Sequence, residues 1–201
     1  MPHHHHCIAG AEPSHTPLLL LHGSGGTEQD MVPLAAALAP RSTAVAIRGA
    51  VPWEHGFAFF RRFADRSIDE RDLLARAGRL AEDIVQIGVD CRFQKPPVAV
   101  GFSNGAMAAT LVMLYSGPLS GAVLFRPLSP FASDPDKQIP ATPVLIIDGR
   151  DDERRLPGDG ARLALRMARI GADVAHHVLP AGHSLVADDL RLAREWLAAR
   201  P

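Results

Sequence analysis

Cysteine is nearly missing from this chain: Cys7 and Cys91 are the two in 201 residues. Two are too few for a disulfide framework, so a reducing cytoplasm is the default compartment. An excess of either charge is missing as well. Lys and Arg number 21 against 22 Asp and Glu, a formal net charge of -1. No basic surplus points to a nucleic-acid partner, and no run of like charges points to a tail. Apolar runs are all far shorter than a membrane span. The N-terminus carries histidines instead of a basic segment followed by an apolar one, so no signal peptide is expected. Those histidines, His3 to His6, stand before Cys7. They read as a native segment, a tag-like run or a soft-metal site. No second ligand cluster at structural-zinc spacing accompanies them, so no metal is expected.

Phosphate-binding patterns are absent too. Gly23-Ser24-Gly25-Gly26 follows an apolar run as a dinucleotide loop would, but the third glycine position is occupied by Glu28. Nor does a G-K-[ST] ending mark a P-loop. What remains is the composition of a globular protein, 47% hydrophobic and 21% charged, of a length that suits one domain with a sizeable core. That domain is expected over residues 16–201, behind an N-terminal histidine-containing segment at 1–15. No internal repeat or second boundary is evident.

The elements alternate. Leu18 to Leu21 is a short apolar run, as a strand buried on both faces would be. The glycine loop follows, and Thr27 with Asp30 resembles a capping box opening a helix with Met31, Leu34, Ala35 and Leu38 on one face. Thr43 to Ile47 reads as the next strand, completing a βαβ unit and implying a parallel sheet. Apolar residues at 73, 77, 80, 84 and 87 mark an amphipathic helix over 69–89. Further strands are expected at Val98 to Val100, Gly121 to Phe125, Val144 to Ile147 and Val174 to Leu179. Helices are expected at Ala106 to Tyr115, at Ala161 to Ile170 and at the C-terminus. The predicted fold is α/β, a mostly parallel sheet of about six or seven strands with helices on both faces and no large cap domain.

The chemistry gathers at strand ends. Gly101-Phe102-Ser103-Asn104-Gly105 lies between a strand and a helix, the context of a G-x-S-x-G nucleophile elbow. Serine is a poor nucleophile at neutral pH and needs a base, which in turn needs an orienting acid. His183 follows the last strand in Pro180-Ala181-Gly182-His183. Acids follow the preceding strand in Asp148-Gly149-Arg150-Asp151-Asp152-Glu153. The order Ser, Asp, His is that of α/β-hydrolases, not of chymotrypsin- or subtilisin-type enzymes. The glycine loop suits an oxyanion hole, since small residues let a backbone N–H approach the developing negative charge. His22 is a rival base, although in such a loop it more often braces the glycines.

Four stretches in this order, Leu20-Leu21-His22-Gly23-Ser24-Gly25-Gly26, Gly101 to Gly105, Gly149-Arg150-Asp151-Asp152 and Ala181-Gly182-His183, resemble the phospholipase/carboxylesterase family of α/β-hydrolases. The likeness runs from about residue 16 to the end and is close to small carboxylesterases and acyl-protein thioesterases. It implies Ser103 as nucleophile, His183 as base, Asp152 as orienting acid, and the backbone N–H groups of Ser24 and Asn104 as oxyanion donors. It also implies acyl transfer without a cofactor. One stretch departs from the pattern. Glu153-Arg154-Arg155 stands where the family commonly has proline and a small apolar run, which keeps Asp151 beside Asp152 as an alternative.

Trp53, Phe57, Phe59, Phe60 and Phe63 crowd one segment with Arg61 and Arg62. Trp53, Phe57, Phe60 and Arg61 are read as a pocket wall with a cationic rim, and a satellite core cluster is the equal alternative. The expected partner is a small-molecule ester. Thioester or lysophospholipid cleavage is the alternative within hydrolases, and a non-catalytic binding protein on the same scaffold the alternative outside them. A homodimer is left open.

Overall fold

The computed structural model describes residues 3–63, 67–114, 117–130 and 137–200. Its strands in chain order are β1 (His5–Ile8), β2 (Leu18–Leu21), β3 (Ala44–Ile47), β4 (Val51–Trp53), β5 (Gly56–Ala58), β6 (Val98–Phe102), β7 (Gly121–Phe125), β8 (Pro143–Gly149) and β9 (Asp173–Leu179). Seven of them form one sheet in the order β1-β3-β2-β6-β7-β8-β9. All neighbours pair in parallel except β1, which is antiparallel to β3. β2, β3, β6 and β7 are short apolar runs covered on both sides, as parallel strands between helical layers require.

Alternation along β2 divides the core in two. Leu19 and Leu21 face the side covered by α2 (Glu70–Asp90), α3 (Asn104–Leu114) and α4 (Asp159–Arg169). Leu18 and Leu20 face α1 (Val32–Leu38) and α5 (Ala187–Ala198). The predicted face of α2 is the buried one: Leu73, Ala77, Leu80, Ile84 and Ile87 all lie in the core. Full burial of each Leu or Ile stabilises the fold by about 1.5–3 kcal/mol. α3 is apolar all round because it is buried all round. Tyr115, its expected last residue, lies outside the described residues.

Two features differ from the expectations. The histidine run is built into the sheet: His5 pairs with Ile47 and Ile8 with Ala44. His3 anchors the same segment to α2, its backbone N–H and ring Nδ1 lying 3.0 and 2.6 Å from an Asp83 carboxylate oxygen. Histidines have no apolar periodicity to announce a strand, and only the backbone pairing makes one. Cys7 on β1 and Cys91 at the end of α2 form a disulfide across 84 residues. That bridge is at odds with the reducing compartment expected from the low cysteine count.

Every parallel strand ends at the same edge, where His22, Ser103, Arg126, Asp152 and His183 follow within four residues of β2, β6, β7, β8 and β9 respectively. Open α/β sheets bind ligands along this edge.

Candidate active site

Ser103 sits in the turn from β6 to α3 with φ at +54°, a left-handed conformation unusual for a residue with a side chain. Its N–H donates to the Phe125 carbonyl at 2.9 Å, tying the turn to the neighbouring strand. Both flanking glycines are sterically required. A Cβ on Gly101 would lie 2.6 Å from the Ala106 Cα, and one on Gly105 would run into the Leu21 carbonyl. The strain of the turn is thus held by close backbone packing on both sides.

His183 reaches this turn from the loop after β9, its ring 5.1 Å from that of Phe102. Its Nδ1 lies 2.8 Å from Asp152 Oδ2, and Asp152 Oδ1 accepts the Arg154 N–H at 2.9 Å. The neighbouring acids do other work. Asp148 pairs with His176 at 2.7 Å. Asp151 is exposed and its backbone N–H donates to Ala181. Of the two alternatives in this loop, Asp152 is the one bonded to His183. Burial pushes the His183 pKa below its ordinary value, Asp152 opposes that shift, and the positive charges of Arg155 and Arg154 add to it. Among the described residues no hydrogen bond joins His183 to Ser103. Instead the Ser103 Oγ accepts from Arg155 Nη2 at 2.8 Å.

The loop carrying His183 is fastened by Arg126, which is fully buried. Its Nε donates to the Gly182 carbonyl at 2.9 Å and Nη2 to the Ser184 carbonyl at 3.2 Å, one on each side of the histidine. Nη1 and Nη2 also form a fork on Asp189, itself buried, at 2.7 and 2.8 Å. A planar guanidinium with five donors suits this task and a lysine would not.

The glycine loop faces the elbow from β2. His22 is buried and committed at both nitrogens: Nε2 accepts the Gly49 N–H at 2.9 Å and Nδ1 lies 2.7 Å from the Gly23 carbonyl. Burial lowers its pKa, and the neutral ring braces the loop. No acceptor among the described residues takes the Ser24 N–H. The Asn104 N–H is the first of α3, ahead of the helical hydrogen-bond ladder. The Asn104 side chain is buried, its Oδ1 accepting the Phe59 N–H at 2.7 Å while Nδ2 has no partner among the described residues.

The aromatic segment divides. Phe59 and Phe60 belong to the main core, so the expectation of a pocket wall does not hold for Phe60. Arg61 is largely exposed, its Nε 3.9 Å from Asp72 Oδ1, and its backbone N–H donates to the same carboxylate. Trp53 stands half-buried in the β4–β5 hairpin and Phe57 packs under the Arg48 guanidinium. Among the described residues one donor cluster could ligate a metal, His5 with Cys7 and Cys91. It includes none of these strand-edge groups, and its two sulfurs are bonded to each other.

No family model matches the chain. It is 34% identical over 182 residues to MhqD of Bacillus subtilis (strain 168), a protein classed provisionally as a hydrolase, covering 89% of this chain and 90% of that one. This chain belongs to the phospholipase/carboxylesterase family of α/β-hydrolases. Its backbone matches that of a carboxylesterase from Bacillus cereus with a TM-score of 0.92 and 31% identity, over 98% of this chain and 94% of that one. A carboxylesterase from Mesorhizobium loti gives 0.90 and 32%, with the same coverage.

Against that α/β-hydrolase pattern, two arginines are the residues that sequence reasoning passed over. Arg126 had a signal of a kind, a charged residue directly after the wholly apolar β7. Arg155 stands in the stretch that departs from the family pattern, and a long cation at a usually apolar position was the available clue.

Proposed function

We propose that this α/β-hydrolase is a serine carboxylesterase acting on small carboxylic esters through an acyl-enzyme. Ser103 is the nucleophile. His183 takes the Oγ proton on Nε2 as the Oγ–carbon bond forms, and Asp152 holds the Nδ1–H tautomer and stabilises the imidazolium. The proton then passes to the departing alcohol as the ester C–O bond breaks. Water, deprotonated by the same histidine, releases the acid and restores the serine. The N–H groups of Ser24 and Asn104 receive the oxyanion, their fixed dipoles requiring little reorganisation as charge develops. No cofactor enters this scheme.

The observation that carries the reading is the 2.8 Å Asp152–His183 contact beside a serine held at positive φ between β6 and α3. The serine Oγ accepts from Arg155, which leaves the hydroxyl proton free for Nε2 once the side chain turns. Catalytic hydrogen bonds commonly form only in the substrate complex.

The test is hydrolysis of a 4-nitrophenyl ester series from acetate to laurate, with Ser103→Ala and His183→Ala alongside. The expected outcome is a maximum at short chains and loss in both variants. Turnover that survives Ser103→Ala would remove the nucleophile assignment. A folded protein that neither hydrolyses any ester nor reacts with a fluorophosphonate would be a binding protein on this scaffold.

A further inference from the structure

Arg155 is a cation in a desolvated setting with no carboxylate bonded to it among the described residues. Its Nε donates to the Arg126 and Pro127 carbonyls at 2.9 and 3.2 Å, and Nη1 donates to the Arg154 carbonyl at 3.0 Å. Three acids are near enough to act on its charge, Asp152, Asp159 and Asp148. Each is committed elsewhere: Asp152 to His183, Asp148 to His176, and Asp159 to Arg162 and the Leu156 N–H. Arg62, whose Nη2 lies 3.8 Å from the Met107 sulfur, adds a second positive charge felt at the same place. A partly buried guanidinium left without an anion is costly. The arm not pinned to carbonyls, Nη2, points at the nucleophile.

We propose that Arg155 is an anion-binding residue that fits this site to half-esters of short dicarboxylic acids, a substrate class that rests on the ester-hydrolase reading above. The substrate's free carboxylate takes the Nη2 arm from Ser103. A bond between two opposite charges thereby replaces one from the guanidinium to a neutral hydroxyl, and is the stronger of the two. The exchange leaves the Ser103 hydroxyl free to turn towards His183. Reach sets the length of the acid. With Nη2 and Oγ 2.8 Å apart, a carboxylate oxygen about 2.9 Å from Nη2 and a carbonyl carbon about 3–3.5 Å from Oγ allow the two carboxyl carbons to lie roughly 4–6 Å apart. Two or three methylenes span that gap, as in succinate or glutarate. Nε and Nη1 are both engaged with carbonyls, so the anion is met mainly by the Nη2 arm, which suits a monoanionic carboxylate better than a phosphate dianion. Hydrolysis then follows the same acyl-enzyme steps and releases the dicarboxylate and the alcohol.

The experiment compares monoethyl succinate with its uncharged isostere ethyl 4-methylpentanoate by pH-stat, in the wild type, Arg155→Met and Arg155→Lys. The readout is the ratio of kcat/KM for the two esters. The wild type favours the half-ester. The ratio falls about ten- to a hundredfold in Arg155→Met and recovers in part in Arg155→Lys. An equal loss on both esters would make Arg155 a general support of the serine and overturn the proposal, as would an unchanged ratio. Calorimetric titration with succinate needs no turnover. Succinate binds the wild type and Ser103→Ala and fails to bind Arg155→Met. Absence of succinate binding in the wild type, or its survival in Arg155→Met, overturns the subsite. If no ester is turned over and no fluorophosphonate labels Ser103, the esterase reading falls while the succinate titration still decides the subsite.

Discussion

Replacing Asp189 with Leu leaves the guanidinium of Arg126 in the core without its anion. Both side chains of this pair are fully buried, and breaking such a pair from one side costs about 3–5 kcal/mol. Asp189 also accepts the Val186 N–H at 2.7 Å at the start of α5, and a lost cap adds about 1 kcal/mol. For a chain of this size, the pair alone is worth a fall in Tm of roughly 6–20 °C, measurable by calorimetry. The double variant Arg126→Met/Asp189→Leu separates stability from positioning. Well-packed apolar residues replace a buried ion pair at little or no cost, so most of the lost Tm returns. The bonds to the Gly182 and Ser184 carbonyls do not return, and those bonds hold the His183 loop. A displacement of about 1 Å at a catalytic group can cost on the order of a hundredfold in rate. The double variant is therefore expected to be stable and slow, with kcat on a 4-nitrophenyl ester reduced ten- to a hundredfold and KM little changed. A double variant with the wild-type kcat would refute the positioning role. A loss below about 1 kcal/mol in Asp189→Leu would refute the buried-pair argument itself.

In the proposed mechanism His183 acts as base only when neutral, and burial holds its pKa below the usual 6.5. The acid limb of kcat/KM should have its midpoint below pH 6.5, and should move lower still, with a large fall in kcat, in Asp152→Asn, because Asp152 opposes the shift. His22 and His183 both have depressed pKa values in the folded chain. The unfolded chain therefore binds more protons as pH falls through 6.5, and urea melts at pH 7.5 and 5.5 should show their share of stability being lost on acidification. Gly105→Ala should abolish soluble expression or lower Tm sharply, since its Cβ would meet the Leu21 backbone and not a flexible side chain. Reducing the Cys7–Cys91 bridge should lower stability by about 2–4 kcal/mol, the usual worth of a disulfide closing a long loop. Thermal melts with and without a phosphine reductant, with Cys7→Ser as control, check it.

Where a residue's task is set by its neighbours in sequence, the chain could be read directly. The elbow is such a case, because strand, glycine, serine, glycine and helix are all local. So are the buried strands and the α2 face, whose periods of two and near 3.6 follow from burial. Asp152 was legible as one of two, and contact with His183, 31 positions away in the chain, is what distinguishes it from Asp151. The strand at His5–Ile8 was hidden because antiparallel pairing at a sheet edge uses backbone groups that every residue carries. Phe60 was misplaced for a related reason: a cluster of aromatics has no sign telling whether it faces a core or a cleft. Arg126 lay beyond reach because its partners, Gly182, Ser184 and Asp189, are 56 to 63 residues away.

The two arginines after β7 and β8 illustrate how a structure sorts like residues into different tasks. Arg126 has a carboxylate fork, three carbonyl contacts and no exposure, so its charge is neutralised and its geometry fixed. Arg155 is steered by carbonyls, and its remaining arm ends on Ser103. The Arg126 carbonyl is itself one of those anchors, so the residue that fastens the histidine loop also aims the free cation. Shifting Arg126 would therefore disturb His183 and the proposed anion-binding arm together, whereas shifting Arg155 would spare the histidine loop. Kinetics on the charged and uncharged ester should reflect that asymmetry: Arg126 variants slow both esters, and Arg155 variants change the ratio between them.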